Sequence, residues 1–150
     1  MPSDEVRAIE LLRDTPYGRL AMSRNAMPFV TVARHIVVDH TVLLGIHRGF
    51  DYHSACDGGV VAYEADNLNQ RNGSPDVWSV QLVGLARCVR PTRGQRELFD
   101  VPSPTAADGE AFDPAYLRIE PRFVTVHWLT GAQPRPDAPT PADPTPAHPD

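Results

Sequence analysis

The densest group of chemically capable side chains in the 150-residue chain is His47, Arg48, Asp51 and His53. Imidazole and carboxylate are ordinary metal ligands. This spacing matches no established metal signature, however, and a third ligand of known geometry is missing, so no metal site is expected. Arg48 carries the planar fork that suits a phosphate group. Arg34 sits in an otherwise apolar run, where a charge must pair, point outward or meet a ligand; the sequence leaves these choices open. Trp78 opens a long apolar stretch and either stacks on a ligand or belongs to a core or subunit contact. Glu64 and Asp66 end another stretch, and pairing with an arginine such as Arg87 is expected of them before acid catalysis. His35 and His127 read as satisfied or exposed structural histidines, and Trp128 as core. Cys56 and Cys88 stand singly, with no CxxC pair and no neighbour that would lower a thiol pKa.

Inventory excludes several chemistries. All 14 basic residues are arginine. Without lysine there is neither a P-loop nor a Schiff base. No GxSxG, HExxH or GxGxxG occurs, so hydrolase-triad, zincin and Rossmann readings lack support. The net charge of −5 opposes nucleic-acid binding, which depends on cations replacing phosphate counterions. No apolar run approaches the roughly 18 to 20 residues that span a bilayer, and residues near the N-terminus are acidic. A cytoplasmic protein with reduced cysteines and no membrane partner is expected.

The elements that must position these residues follow from periodicity. A short helix begins after Ser3, with Asp4 and Glu5 at its positive end and Val6, Ile9 and Leu12 at helical spacing. Pro16 and Gly18 stop it. Strand patterns follow at 19–23, 29–38 and 41–46, joined by short turns that imply an antiparallel meander. Residues 49–56 are ambiguous and include a possible helical turn. Further strands are expected at 60–65 and 77–89, separated by a polar loop from Asp66 to Asp76. Thr92 with Gln95 signals a capped helix to Phe99, and a loose segment through Pro114 precedes two last strands, 116–119 and 123–129. The final 19 residues, from Ala132, hold seven prolines and read as a disordered tail. The working domain is then 1–131, with the tail at 132–150. Six or seven antiparallel strands must close on themselves or form a sandwich, since an open sheet leaves bare edges; a small barrel is expected.

The ordered set Gly18-Arg19-Leu20-Ala21, Pro28-Phe29-Val30, a strand ending near Asp39, Val60 to Asp66, and Trp78-Ser79-Val80 with Gly84, Ala86 and Arg87 resembles the pyridoxamine 5′-phosphate oxidase-like family, the FMN-binding split barrels. The match runs from about Glu10 to Leu129. It implies a mainly β fold, a six-stranded antiparallel split β-barrel with two short helices. It also implies a homodimer with FMN in a groove at the dimer interface, one side of the ring open to a small-molecule substrate. By this resemblance Thr31, Val32, Ala33 and Arg34 lie along the flavin ring, and Trp78 and Ser79 supply contacts from the long strand. At the phosphate end the chain departs from the family: Ile46, Gly49, Phe50, Asp51 and Tyr52 stand where relatives carry Thr, then Gly or Ser, then a cation. A carboxylate there repels a phosphate dianion by about 1 to 4 kcal/mol at contact, and His47, Arg48 or His53 would have to compensate. The implied function is an FMN-dependent oxidoreductase acting on a small organic molecule. Oxidation of pyridoxamine phosphate itself is disfavoured, because cationic anchors near the site are few. The alternative is a split barrel that has lost FMN and serves as a small-molecule binding module or cofactor-free catalyst; deazaflavin and haem are alternative occupants.

Overall fold

The computed structural model describes residues 4–69, 76–100 and 113–129. The Pro-rich segment 132–150, Ser3, most of the polar loop before Asp76 and most of the segment before Pro114 lie outside the described residues. Six strands, β1 (Tyr17–Arg24), β2 (Met27–Val38), β3 (Thr41–His47), β4 (Val60–Asp66), β5 (Val77–Cys88) and β6 (Pro114–Leu129), pair antiparallel throughout. They close in the order β1-β2-β3-β6-β5-β4. Asn25 and Ala26 both take positive φ (51° and 63°), the twist that a two-residue hairpin needs to bring Arg24 opposite Met27. Alternation then decides the interior. Leu20, Leu44, Val61, Tyr63, Val80, Leu82, Leu117 and Ile119 point inward and are buried, as period-two patterning requires.

Three helices decorate the barrel. α1 (Asp4–Arg13) buries Ala8, Ile9 and Leu12 into the same core; Val6, expected on that face, is 44% exposed. α2 (Tyr52–Cys56), at positions that are ambiguous in sequence, makes three helices among the described residues where two were expected. It follows a 3-10 turn at Arg48–Phe50. Asp51, at φ 58°, separates the two turns, and neither is long enough to show a helical period. α3 (Arg93–Phe99) carries the expected capping box between Thr92 and Gln95 and lays Phe99 on Ile36 and Leu43, outside the barrel wall.

The two expected last strands are one. Pro121 lies between the two expected runs and faces Gly84 where the β5–β6 register shifts, a bulge position where a missing N–H does no harm. Gly84 is required there: a Cβ would lie 2.0 Å from the Glu120 carbonyl oxygen.

His35 is the buried polar centre of the fold, 2% exposed. Its Nε2 lies 2.8 Å from the Leu12 carbonyl oxygen. A carbonyl only accepts, so Nε2 carries the proton and Nδ1 accepts from the Tyr63 hydroxyl. Burial, reinforced by the neighbouring Arg34 charge, pushes the His35 pKa down to about 4. Because the folded value lies below the ordinary one, the stabilisation is complete above pH 6.5 and is lost as pH falls toward 4. We expect the stability to urea to drop by about 3 kcal/mol across that window. A His35→Asn variant, less stable at pH 7, should show a flatter profile in the same titration.

Candidate functional site

The strand register assembles a continuous outer face. Val30, Ala21, Ala62, Val83 and Phe123 are mutual partners across β2, β1, β4, β5 and β6. This apolar row points away from the core, and its ends, Val30 and Phe123, are 63% and 71% exposed. The next row on the same face is Val32, Arg19, Glu64, Gln81 and Thr125. An apolar row therefore lies directly beside a charged one.

A cavity of about 310 Å³ opens on this face, lined by Tyr17, Gly18, Arg19, Val32, Asp66 and Asn69 among others. Arg19 Nη1 is 3.2 Å from both Glu64 Oε2 and Asp66 Oδ2. Burial and the adjacent Asp66 push the Glu64 carboxyl up to about 6, against the opposing pull of Arg19. Asp66 is itself half-buried, yet its contacts with Glu64, the Leu68 amide and Arg19 hold its pKa below the ordinary value. As pH falls the pair therefore takes up its first proton on Glu64, near pH 6, while Asp66 stays ionised. Glu64 and Asp66 do pair with an arginine, but it is Arg19; Arg87 stands on β5 opposite Arg118. Sequence alternation does place Arg19 outward. Its partner, 45 residues away, is fixed only when β1 meets β4.

β2 also has an open edge. Its pairing with β3 ends at Arg34 opposite Gly45, whereas its pairing with β1 continues from Arg34 to Met27. From Met27 to Ala33, β2 pairs with β1 alone among the described strands, so backbone donors and acceptors on the other side are open to a ligand.

The structure divides the residues anticipated from sequence. Val32 lines the groove, with Thr31 and Ala33 turned to the barrel interior on either side of it. Ser79, opposite Asp66 on the same outer face, is adjacent. Arg34 instead works as a fastener: its guanidinium donates to the carbonyl oxygens of Pro16, His35 and Leu98 at 3.1, 2.9 and 3.0 Å and lies over the Tyr17 ring. Trp78 is a core residue, 7% exposed. Trp128, expected in the core, is 39% exposed, with the Arg7 guanidinium 4.9 Å above its ring. Arg48 turns to Asp113 (3.6 Å) and the Pro114 carbonyl oxygen (3.3 Å) and lines a different cavity.

At the positions where the family resemblance requires a phosphate clamp, the chain builds an aromatic stack. Phe29 and Tyr52 stack at 4.0 Å, Phe50 follows Tyr52 at 5.5 Å, and His47 meets Phe50 edge-on. Arg24 lies over the Tyr52 ring and donates to the Phe50 carbonyl oxygen at 3.3 Å. Asp51 accepts from Ser54 at 2.6 Å and lies 3.5 Å from His53. Exposed Val32 beside the open edge of β2 suits the face of a flat ring, while Phe50 and Asp51 do not suit a dianionic phosphate.

Known proteins share this architecture. The structure is similar to that of the FAD binding protein from Mycobacterium smegmatis, with a TM-score of 0.59 and 24% identity over 82% of this chain and 92% of that one. It is similar also to an FAD-binding protein from Mesorhizobium loti (TM-score 0.59, 15% identity, 83% and 94% covered). A flavocytochrome from Azotobacter vinelandii gives a TM-score of 0.59 at 17% identity, with 96% and 86% covered. At these identities the likeness shows the fold. An uncharacterised protein of Mycobacterium tuberculosis is 38% identical over 88 residues, 55% of this chain and 57% of that protein, so the match spans little more than half of the relative's length. Residues 4–128, from the start of α1 almost to the end of β6, match the profile named for pyridoxamine 5′-phosphate oxidase. By that match, and by the six-stranded barrel that carries it, the chain belongs to the pyridoxamine 5′-phosphate oxidase family.

Proposed function

We propose that this protein is a flavin-dependent oxidoreductase acting on a small organic molecule, with the flavin lying against the outer face beside Val32. The observation that carries this reading is the half-paired β2. Its open edge from Met27 to Ala33 offers backbone groups to a polar ring edge, while exposed Val32 and the neighbouring apolar row offer a flat surface to the ring itself. A bound flavin supplies hydride or electron exchange. The chain's own residues position it, exclude water along the Val30 to Phe123 row, and place beside the groove a carboxyl, Glu64, that takes up a proton near pH 6. A second copy of the chain docked on the apolar row would enclose the groove, giving the homodimer that the family resemblance implies.

A second reading rests on Phe50 and Asp51. If their ring and carboxylate close the phosphate end, the same groove serves as a binding site for an uncharged small molecule without FMN. An absorbance spectrum and FMN titration by fluorescence quenching separate the two. We expect quenching by added flavin, weakened about tenfold or more by Val32→Asp, which sets a charge against the ring. A colourless protein indifferent to flavin supports the second reading, and a Soret band would assign the groove to haem.

The enclosing dimer has its own test. A Val30→Asp, Phe123→Asp double variant alters only exposed side chains and should run as a monomer in light scattering while retaining its circular dichroism. The Glu64 carboxyl, its folded pKa raised above the ordinary value, favours folding below about pH 4.5. That contribution is lost as pH rises through about 6. Carbon-detected NMR titration should find this raised value, and Arg19→Gln should raise it further by removing the cation that opposes the shift.

A further inference from the structure

We propose that the chain carries a second ligand site, for a small organic molecule bearing a phosphate or carboxylate group, on the wall opposite the groove. The site is a cavity of about 610 Å³ between the end of β3, the end of β5, the start of β6 and α3, lined by Arg48, His53, Arg90, Arg96 and Tyr116 among others. It shares no lining residue with the groove beside Val32.

Charge placement carries the argument. The chain is acidic overall, with 14 arginines against 19 carboxylates, yet three of those arginines reach this one cavity from three separate elements. Among the described residues, no carboxylate lies within 4 Å of the Arg90 or Arg96 guanidinium, whereas Arg48 has Asp113 at 3.6 Å. Like charges gathered around a cavity repel one another, and an oxyanion placed between them converts the repulsion into charge-assisted hydrogen bonds. Asp113 and, near Tyr116, Asp100 reduce the positive potential without cancelling it.

His53 lies on the same wall, with its Nε2 3.5 Å from Asp51 Oδ1. The volume exceeds what inorganic phosphate fills and falls within the usual range of small-molecule sites, about 300 to 1,000 Å³. Val89 and the Tyr116 ring supply apolar surface for the remainder of the molecule. The occupant is therefore an organic anion.

The test uses the full chain and four probes: phenyl phosphate, inorganic phosphate, benzoate and phenol, each titrated by isothermal calorimetry without flavin. Both anions should bind, phenol should not, and phenyl phosphate should bind more tightly than inorganic phosphate. Arg90→Gln combined with Arg96→Gln removes two exposed side chains and should leave the melting temperature in place while weakening anion binding by about tenfold or more. Absence of anion binding, or equal affinity in the double variant, overturns the proposal. So does a parallel loss of flavin affinity in that variant, which would make the cavity part of the flavin site. Because the anions are titrated alone, the result stands whether or not the groove binds flavin.

Discussion

Closure of the barrel depends on a short seam. β1 and β4 meet through only three residue pairs, Arg19 with Glu64, Leu20 with Tyr63 and Ala21 with Ala62, and both sides of the sheet reinforce it. Inside, Tyr63 is fully buried and donates to His35, which in turn grips the end of α1 through Leu12. Outside, Arg19 bridges to Glu64 and Asp66. Gly18 makes the approach possible, since a Cβ there would lie 2.4 Å from the Tyr63 ring and 2.5 Å from the Glu64 carbonyl oxygen. Surface ion pairs alone contribute little; the buried hydrogen bonds and apolar packing behind the seam supply most of its strength.

The seam also writes the pattern of the outer face. Once β1 and β4 are in register, small or apolar side chains line up across five strands in one row, and charge begins in the next, with Arg19 and Glu64. That division makes the face chemically useful. Exposed apolar side chains lie beside the open side of β2 and the Arg19 cluster. A barrel with full pairing along β2 would have spent those backbone groups on β3.

Exclusive use of arginine shapes both the fold and its surface. Arg34 satisfies three carbonyl oxygens from three segments at once, which the planar, multiply donating guanidinium accomplishes and a single ammonium does less well. Arg19 and Arg118 hold carboxylates, and Arg7 and Arg24 lie over aromatic rings. Against this background Arg90 and Arg96 differ, because they reach a cavity and, among the described residues, no carboxylate within 4 Å.

Much of the architecture is legible in the amino-acid order, because strand alternation, turn residues and the Thr92 capping box act over a few positions. Those local rules located six strands and two helices and supported the family resemblance. They failed where non-local contacts override them. Pro121 continues a strand because Gly84 makes room across a bulge, and Trp128, on the inward side of β6 opposite Trp78, stays partly exposed because it lies one residue from the strand end, where Arg7 and not the core covers its ring. Arg34 was readable as a charge needing partners, but not as a fastener for carbonyls at positions 16, 35 and 98. By itself the sequence determined the fold class, the barrel and the family, since each follows from residue type and period. Tertiary structure alone decided that Arg19 meets Glu64 and Asp66, that Arg48 turns away from the groove, and that three arginines share one cavity. Such meetings depend on barrel closure and strand register, which no local period encodes.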